Sequence, residues 1–190
     1  MDRRVRKTKR QLRIALMELM TQKHVNEISV RELADHADIN RGTFYIHYKD
    51  VGDLLQQLED EIADQLLQIC RNHAENYAED HSKYPFLTDL FRLIQDNADL
   101  CKVLLGNNGS RPFVERLCRI VYNNYLFDYL KLFYPVDERG LTYFCSFIVP
   151  GFLSSALAWL YGNGKETAEE MARLVGAIVE RGAAALHSES

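Results

Sequence analysis

The sequence predicts an all-α protein, and three features support that prediction. Apolar residues recur every three or four positions through most of the 190 residues, which is the spacing of a buried helix face. No stretch of useful length alternates apolar and polar residues as a half-buried strand does. With only 4 Pro and 10 Gly, the chain has few residues that interrupt helices. We therefore expect helices joined by short turns.

The composition narrows the class of protein. With 47% hydrophobic and 26% charged residues the chain is too apolar for a disordered protein, and its length suits one domain or two small ones. Its first residues lack the apolar segment of a secretory signal peptide, and its 4 Cys form no CxxC pair. We expect a cytoplasmic protein with reduced thiols and neither a zinc ribbon nor a disulfide scaffold.

Periodicity and capping residues place the helices in order. The first half predicts helices over 8–22, from Ser29 to about Ala37, from Asn40 to about Tyr48 and from Asp50 to about Tyr77. The second half predicts helices over 86–96, 98–105, 111–133, 138–161 and 166–187. Ser29 and Glu32 match a capping box that starts the second helix. Turns are expected at 81–85, 106–109, 134–135 and 162–164.

Charge is unevenly distributed along the chain. Residues 1–50 carry 11 Lys and Arg against 7 Asp and Glu, a net charge of +4, and seven of these cations lie within the first 13 positions. The remaining residues carry a net charge of −8. A basic N-terminal segment on an acidic body indicates a local contact with a polyanion such as nucleic acid. A solvated helix end is the alternative interpretation.

The segment from Val30 to Tyr48 has the pattern of a helix-turn-helix. Two helices that cross steeply need a small residue where they touch, and Ala34 lies in the middle of the first one. Asp38 occupies the turn, at a position that usually requires a positive φ. Ile39 and Phe44 supply apolar side chains after the turn and inside the second helix. A generic three-helix unit with a polar surface is the alternative.

The second of these helices exposes the residue types that read DNA. Arg41 can reach a guanine edge or a phosphate, Gly42 allows close approach, and Thr43 can contact a thymine methyl group. Lys49 and the following helix N-terminus would hold a phosphate, and residues before the first helix would flank the groove. The predicted DNA-contacting residues are Ser29, Arg31, Arg41, Gly42, Thr43, Tyr45, His47, Tyr48 and Lys49.

Residues 28–34 followed by 39–49 resemble the N-terminal domain of the tetracycline-repressor (TetR) family of transcriptional regulators. Asp38, where Gly is usual, and Ile46, where a polar residue is frequent, depart from the family pattern. The resemblance implies a DNA-binding domain over 1–50 and a helical regulatory and dimerisation domain over 51–190. Segments 100–106, 147–152 and 159–164 are similar to the C-terminal domain of a Firmicutes subgroup that includes the activator of dihydroxyacetone-kinase operons.

Residues 141–164 contain no charged side chain. By length they can span a bilayer, but their small residues, such as Gly151 and Ser154, also suit close contact between helices. We favour a two-fold dimer in which this helix and the last one form a four-helix bundle, as the TetR resemblance implies. Pro150 is expected to kink the helix or to unwind part of it.

The resemblance also implies a small-molecule site in the C-terminal domain. The candidate lining is aromatic and thiol-rich: Phe91, Cys101, Phe113, Leu117, Tyr122, Tyr125, Phe144, Cys145 and Phe147. Such residues suit an aromatic or amphipathic effector. Two alternatives stay open, namely that these side chains are ordinary core and that a protein coactivator binds the domain instead.

Enzymatic and metal-binding motifs are not found. The sequence contains no GxSxG or HExxH motif, and Glu166 stands where a phosphate-binding loop needs Ser or Thr. The 6 His are scattered without ligand spacing. We therefore expect no catalytic residue, metal or cofactor. The sequence predicts a homodimeric regulator, a repressor that binds a palindromic operator and is released by an effector; a coactivator-dependent activator is the alternative.

Overall fold

The computed structural model describes residues 3–75, 84–106, 109–133, 138–162 and 165–185. Within these residues the chain forms helices and no strand, as predicted. The first helices are α1 Arg3–Met20, α2 Val30–His36, α3 Arg41–His47, α4 Val51–Ala74 and α5 Pro85–Asp96. The others are α6 Ala98–Leu104, α7 Arg111–Val121, α8 Phe127–Phe133, α9 Glu138–Tyr161 and α10 Ala168–Ala185. Most of the predicted turn at 81–85, all of that at 134–135 and parts of those at 106–109 and 162–164 lie outside the described residues.

The basic N-terminal segment is part of α1. The helix begins at Arg3 rather than near residue 8, because Arg, Lys and Gln are good helix formers and extend the first turns. Its inner face buries Leu12, Leu16 and Met20, which belong to the same core cluster as Leu33 of α2 and Phe44 of α3. The three helices therefore pack as one unit and leave most of the cations exposed.

The turn of the helix-turn-helix has the conformation that the sequence predicts. Asp38 has a φ of 53°, and the Ile39 N–H donates to the Ala34 carbonyl at 3.0 Å, which closes the end of α2. Ser29 caps α2 by accepting the Glu32 N–H at 3.2 Å. Asn40 caps α3 by accepting the Gly42 N–H at 2.7 Å. Local side chains thus fix where both helices begin and how they cross.

The long helix α4 connects the first three helices to the rest of the chain. Its inward side chains, including Leu54, Leu58 and Ile62, belong to one core that continues into α5, α7 and α8. The helix ends at Ala74, before the predicted Tyr77. The last predicted helix is likewise described from Ala168 to Ala185, and the part of the prediction beyond 185 lies outside the described residues.

The predicted single helix over 111–133 is interrupted. Residues Tyr122–Leu126 form a π-helical turn between α7 and α8, and such turns have no periodicity signal in the sequence. The turn buries the adjacent side chains of Tyr125 and Leu126. Tyr125 stacks on Phe86 of α5 with ring centroids 3.7 Å apart. The bulge therefore directs an aromatic ring into the centre of the molecule.

The helix α9 continues through Pro150, so the alternative expectation, of an unwound segment, was wrong. From Arg139 to Tyr161 it is long and apolar enough to cross a membrane by length and composition alone, and 22% of this apolar stretch is buried. The large apolar side chains exposed on α9 and α10 are Tyr143, Phe147, Tyr161, Leu174 and Ile178.

Candidate DNA-binding surface and central cavity

The outward face of α3 carries most of the residues predicted to read DNA. Arg41 and Gly42 are exposed in its first turn. Tyr45 is 60% exposed and Ile46 is 76% exposed. Thr43 and His47 are half-buried at the edges of this face. A short helix that presents a guanidinium, a glycine and two large side chains outward has the shape and chemistry of a major-groove reading element.

Aromatic side chains on the opposite face fasten α3 to the core. Phe44 is fully buried, and its ring lies 5.7 Å from that of Tyr48. Tyr48, predicted to contact DNA, is only 5% exposed, and burial raises the pKa of its hydroxyl. Lys9 of α1 lies 5.6 Å above its ring. Because so little of Tyr48 reaches the surface, we correct its predicted role to that of a packing residue.

Further polar groups flank this face. Ser29 and Arg31 are exposed at the start of α2, and Arg31 lies 3.8 Å from Asp35 on the same helix. The exposed cations near the start of α1 are Arg3, Arg4, Arg6, Lys7 and Arg10. The roles of these residues in DNA contact stay predictions.

Two carboxylates lie at the beginning of α4, where a phosphate contact is predicted. Asp50 accepts the Asp53 N–H at 2.8 Å, and Asp53 accepts the Lys49 N–H at 2.8 Å. That second hydrogen bond is the main reason why the pKa of Asp53 is lowered. The two carboxylates therefore occupy the Lys49 and Asp53 amides, and the Lys49 side chain is exposed beside them. A phosphate contact at this helix end stays a prediction.

A cavity of about 440 Å³ lies in the C-terminal part of the chain, a volume within the range of small-molecule pockets. Side chains from every helix from α4 to α10 line it. Most of the lining is aliphatic or aromatic, and its polar members are His73, Tyr84, Cys101, Cys118, Tyr125, Tyr129 and Glu180. The described lining contains no lysine or arginine.

The predicted ligand residues coincide with this cavity only in part. Cys101, Leu117 and Tyr125 line it. Phe91, Phe113, Tyr122, Phe144 and Cys145 lie at buried or half-buried positions outside its described lining. Phe147 is 73% exposed on α9 and cannot line a cavity. For these six residues the prediction is corrected. The cavity wall is formed by several helices, and the composition of the sequence does not show which face of each helix points inward.

Both cavity-lining cysteines are neutral thiols. Burial raises the pKa of Cys101 to about 12, with nearby Arg13 partly opposing the shift, and burial also raises the pKa of Cys118. A protonated thiol is a weak nucleophile and behaves as a small apolar group. Among the described residues, no group of three His, Cys, Asp or Glu side chains is placed to hold a metal ion.

One wall of the cavity holds a tightly packed tyrosine. Tyr84 has a φ of 70°, in the left-handed region, and its hydroxyl donates to Glu180 of α10. A Cβ at Gly176 would lie 2.4 Å from the Tyr84 ring, so only glycine allows the ring to lie against α10. His73 of α4 pairs with Asp89 of α5 at 2.9 Å. These hydrogen bonds give three polar members of the lining, His73, Tyr84 and Glu180, partners within the protein.

Arg13 connects the DNA-binding helices to a cavity helix. Its guanidinium donates to the Asn97 side chain at 3.1 Å, at the junction of α5 and α6, and lies 3.6 Å from Glu61 of α4. Helix α6 carries Cys101 of the cavity wall. Sequence reasoning missed this residue because Asn97 lies 84 positions away along the chain and no local pattern joins them.

The fold is all-α, and its helix-turn-helix exposes a guanidinium and an aromatic ring. These features are typical of helix-turn-helix DNA-binding proteins. A model of bacterial regulatory proteins of the tetR family matches residues 14–58. A model of a transcriptional regulator C-terminal region matches residues 81–181, more than half of the chain. The chain belongs to the TetR family of transcriptional regulators, which are DNA-binding proteins and not enzymes.

Solved structures agree with the fold. A TetR-family regulator from Syntrophomonas wolfei has 19% identity and a TM-score of 0.68, with 97% of this chain and 99% of that one covered. FadR from Bacillus subtilis, in complex with stearoyl-CoA, has 17% identity and a TM-score of 0.62 over 93% and 98%. The dihydroxyacetone kinase operon activator DhaS has 16% identity and a TM-score of 0.57 over 95% and 98%. A comparison with curated proteins gave no match.

Proposed function

We propose that this regulator is a cytoplasmic repressor whose two copies bind a palindromic operator through α3. The observation that carries the proposal is the outward face of α3, where Arg41, Tyr45 and Ile46 project from a helix that Phe44 anchors to the core. Residues 1–50 form the DNA-binding domain, and residues 51–190 form the regulatory domain. Contacts to phosphates from Lys49, Arg31 and the cations of α1 add affinity without sequence preference.

The dimer forms through α9 and α10. Their exposed apolar side chains include Phe147, Leu174 and Ile178, and soluble monomers rarely expose such a patch. Small exposed residues beside them, Gly151 and Ser154, allow helices of two copies to approach closely. Two such helices per copy make a four-helix bundle around a two-fold axis. In such a dimer the apolar side chains of α9 are buried against the partner copy, which explains their number without a membrane.

The effector is an apolar aromatic or amphipathic molecule, uncharged or cationic, that enters the central cavity. The lining is mostly apolar, it includes the carboxylate of Glu180, and the described part of it offers no lysine or arginine. An anionic head group would have to be desolvated there without a cationic partner, which is costly. FadR was solved with stearoyl-CoA; the phosphates of such a ligand would have to stay outside this cavity.

Effector binding releases DNA through α6. A ligand that displaces Cys101 also displaces the start of α6, where Asn97 accepts a hydrogen bond from Arg13 of α1. The movement then reaches the packed unit of α1, α2 and α3 and changes the separation of the two reading helices. Because the effector and the operator favour different arrangements of the same helices, each weakens the binding of the other.

The alternative function is a coactivator-dependent activator of the Firmicutes subgroup, whose C-terminal domain binds a protein and not a small molecule. The structural similarity to DhaS supports the fold of that subgroup alone. The cavity favours the repressor, because a mostly apolar pocket of this volume suits a small molecule, whereas a protein partner needs a larger surface. Pull-down of one stoichiometric partner, with DNA affinity insensitive to small molecules, would favour the activator.

The double variant Arg41→Ala, Tyr45→Ala tests the DNA-binding site. We expect it to lose binding to the operator in gel shifts, while its dimer and melting temperature stay nearly unchanged because both side chains are exposed. Each lost base or phosphate contact costs about 1–3 kcal/mol, so two per half-site abolish specific binding. Arg111→Ala removes an exposed cation from α7 and is the matched control, which should bind normally. Unchanged binding by the double variant would refute the site.

A further inference from the structure

Among the described residues, Ile46 is the most exposed of the large hydrophobic side chains, at 76%. Isolated exposed apolar residues are common on protein surfaces, so the position of this one matters. It lies on the same face of α3 as Arg41, Gly42 and Tyr45. An apolar side chain therefore projects from the surface that faces DNA in the proposed function.

The chemistry of isoleucine limits what it can recognise. Its side chain has no hydrogen-bond donor or acceptor, so it cannot bind a phosphate oxygen or the polar edge of a base. The apolar group that the major groove presents is the 5-methyl group of thymine. We propose that Ile46 contacts a thymine methyl group in each half-site and so selects thymine at that position; this inference rests on the proposed function.

Gly42 makes such a contact possible. It lies four positions before Ile46 and therefore one turn away on the same face of the helix, and both are exposed. Because glycine has no side chain, the helix backbone can approach the base edges closely. A side chain as short as isoleucine then reaches a methyl group. The neighbouring Arg41, Tyr45 and His47 carry polar groups and read other features.

Removal of one methyl group from the DNA tests the proposal. The full-length protein is used to select duplexes from a randomised pool, and each symmetric pair of thymines in the selected duplex is then replaced by uracil. For one pair we expect weaker binding by the wild type, about fourfold per half-site, the effect of one buried methyl-sized group. Ile46→Ala should bind the thymine and uracil duplexes equally at that pair.

Leu132→Ala is the matched control, because Leu132 is also an exposed aliphatic residue but lies on α8. It should keep the full preference for thymine. The proposal is overturned if no thymine pair is sensitive to uracil, or if every sensitive pair stays equally sensitive in Ile46→Ala. Enrichment of no duplex at all would overturn the proposed function as well. A selected duplex without an Ile46-dependent methyl effect would overturn this inference alone.

Discussion

The DNA-facing surface is formed by residues that are close together in the sequence, whereas the central cavity is formed by residues that are far apart. The residues predicted to contact DNA come from one stretch between Ser29 and Lys49, and all except Tyr48 lie exposed or half-buried. The cavity is lined by side chains from α4 to α10, more than 100 positions apart at the extremes, from Ile62 to Glu180. The DNA-contacting residues could be predicted from the sequence because they lie in one short stretch. The cavity lining could not, because it depends on how seven helices pack together.

The two regions also differ in charge and in what they can bind. The DNA-facing surface exposes Arg31, Arg41 and Lys49 together with hydrogen-bonding groups, which suit a polyanion. The described lining of the cavity lacks lysine and arginine and is mostly apolar, which suits an apolar ligand. Arg13 and Asn97 join the two regions by a side-chain hydrogen bond. Separate variants can therefore disable either region, or the contact between them.

The largest effect is expected when the two copies are separated. Phe147→Glu with Leu174→Glu places charges on the exposed apolar face of α9 and α10. We expect a monomer by size-exclusion chromatography with light scattering, and operator affinity lower by at least about 1,000-fold, because one reading helix approaches non-specific binding. Leu132→Glu on α8 is the control. A double variant that stays dimeric would show that this face is not the interface.

An intermediate effect is expected when the cavity is filled. N-phenyl-1-naphthylamine is an uncharged fluorescent probe, and its sulfonated analogue 8-anilino-1-naphthalenesulfonate is anionic. We expect the uncharged probe to bind at least about tenfold more tightly, because the sulfonate finds no cation in the described lining. Val121→Trp fills part of the cavity and should abolish this binding. Arg119→Trp, on the outer face of α7, should bind as the wild type does. Equal binding of both probes would contradict the proposed ligand class.

The smallest effect is expected at the contact between the regions. When operator DNA is added to the wild type, amide hydrogen exchange in α6 should slow by about fivefold, the size of a modest coupling. Arg13→Ala removes the hydrogen bond to Asn97 and should largely remove that slowing. Arg10→Ala takes the same charge from α1 but leaves the Asn97 contact intact, and with operator DNA at saturation it should preserve the slowing. Identical slowing in all three proteins would mean that the coupling does not pass through Arg13.

The helix-turn-helix was predictable at the level of single residues because its signals are local. The caps at Ser29 and Asn40, and the positive φ of Asp38, each depend on neighbours within a few positions. The helices of the C-terminal part were predictable too, but not their inward faces. On α9, apolar residues surround the helix, so nothing in the sequence showed that Phe147 faces outward. The π-helical turn at 122–126 likewise has no local signal.

Hydroxyl-radical footprinting of the selected duplex tests the central claim most directly, since it reports protection of the DNA backbone regardless of base sequence. The account predicts two protected patches that flank major grooves on one face of the duplex, about one helical turn (~34 Å) or a multiple of it apart. Both patches should disappear with the Arg41→Ala, Tyr45→Ala variant. A single patch, or two patches on opposite faces, would contradict the claim that paired copies of α3 read the operator.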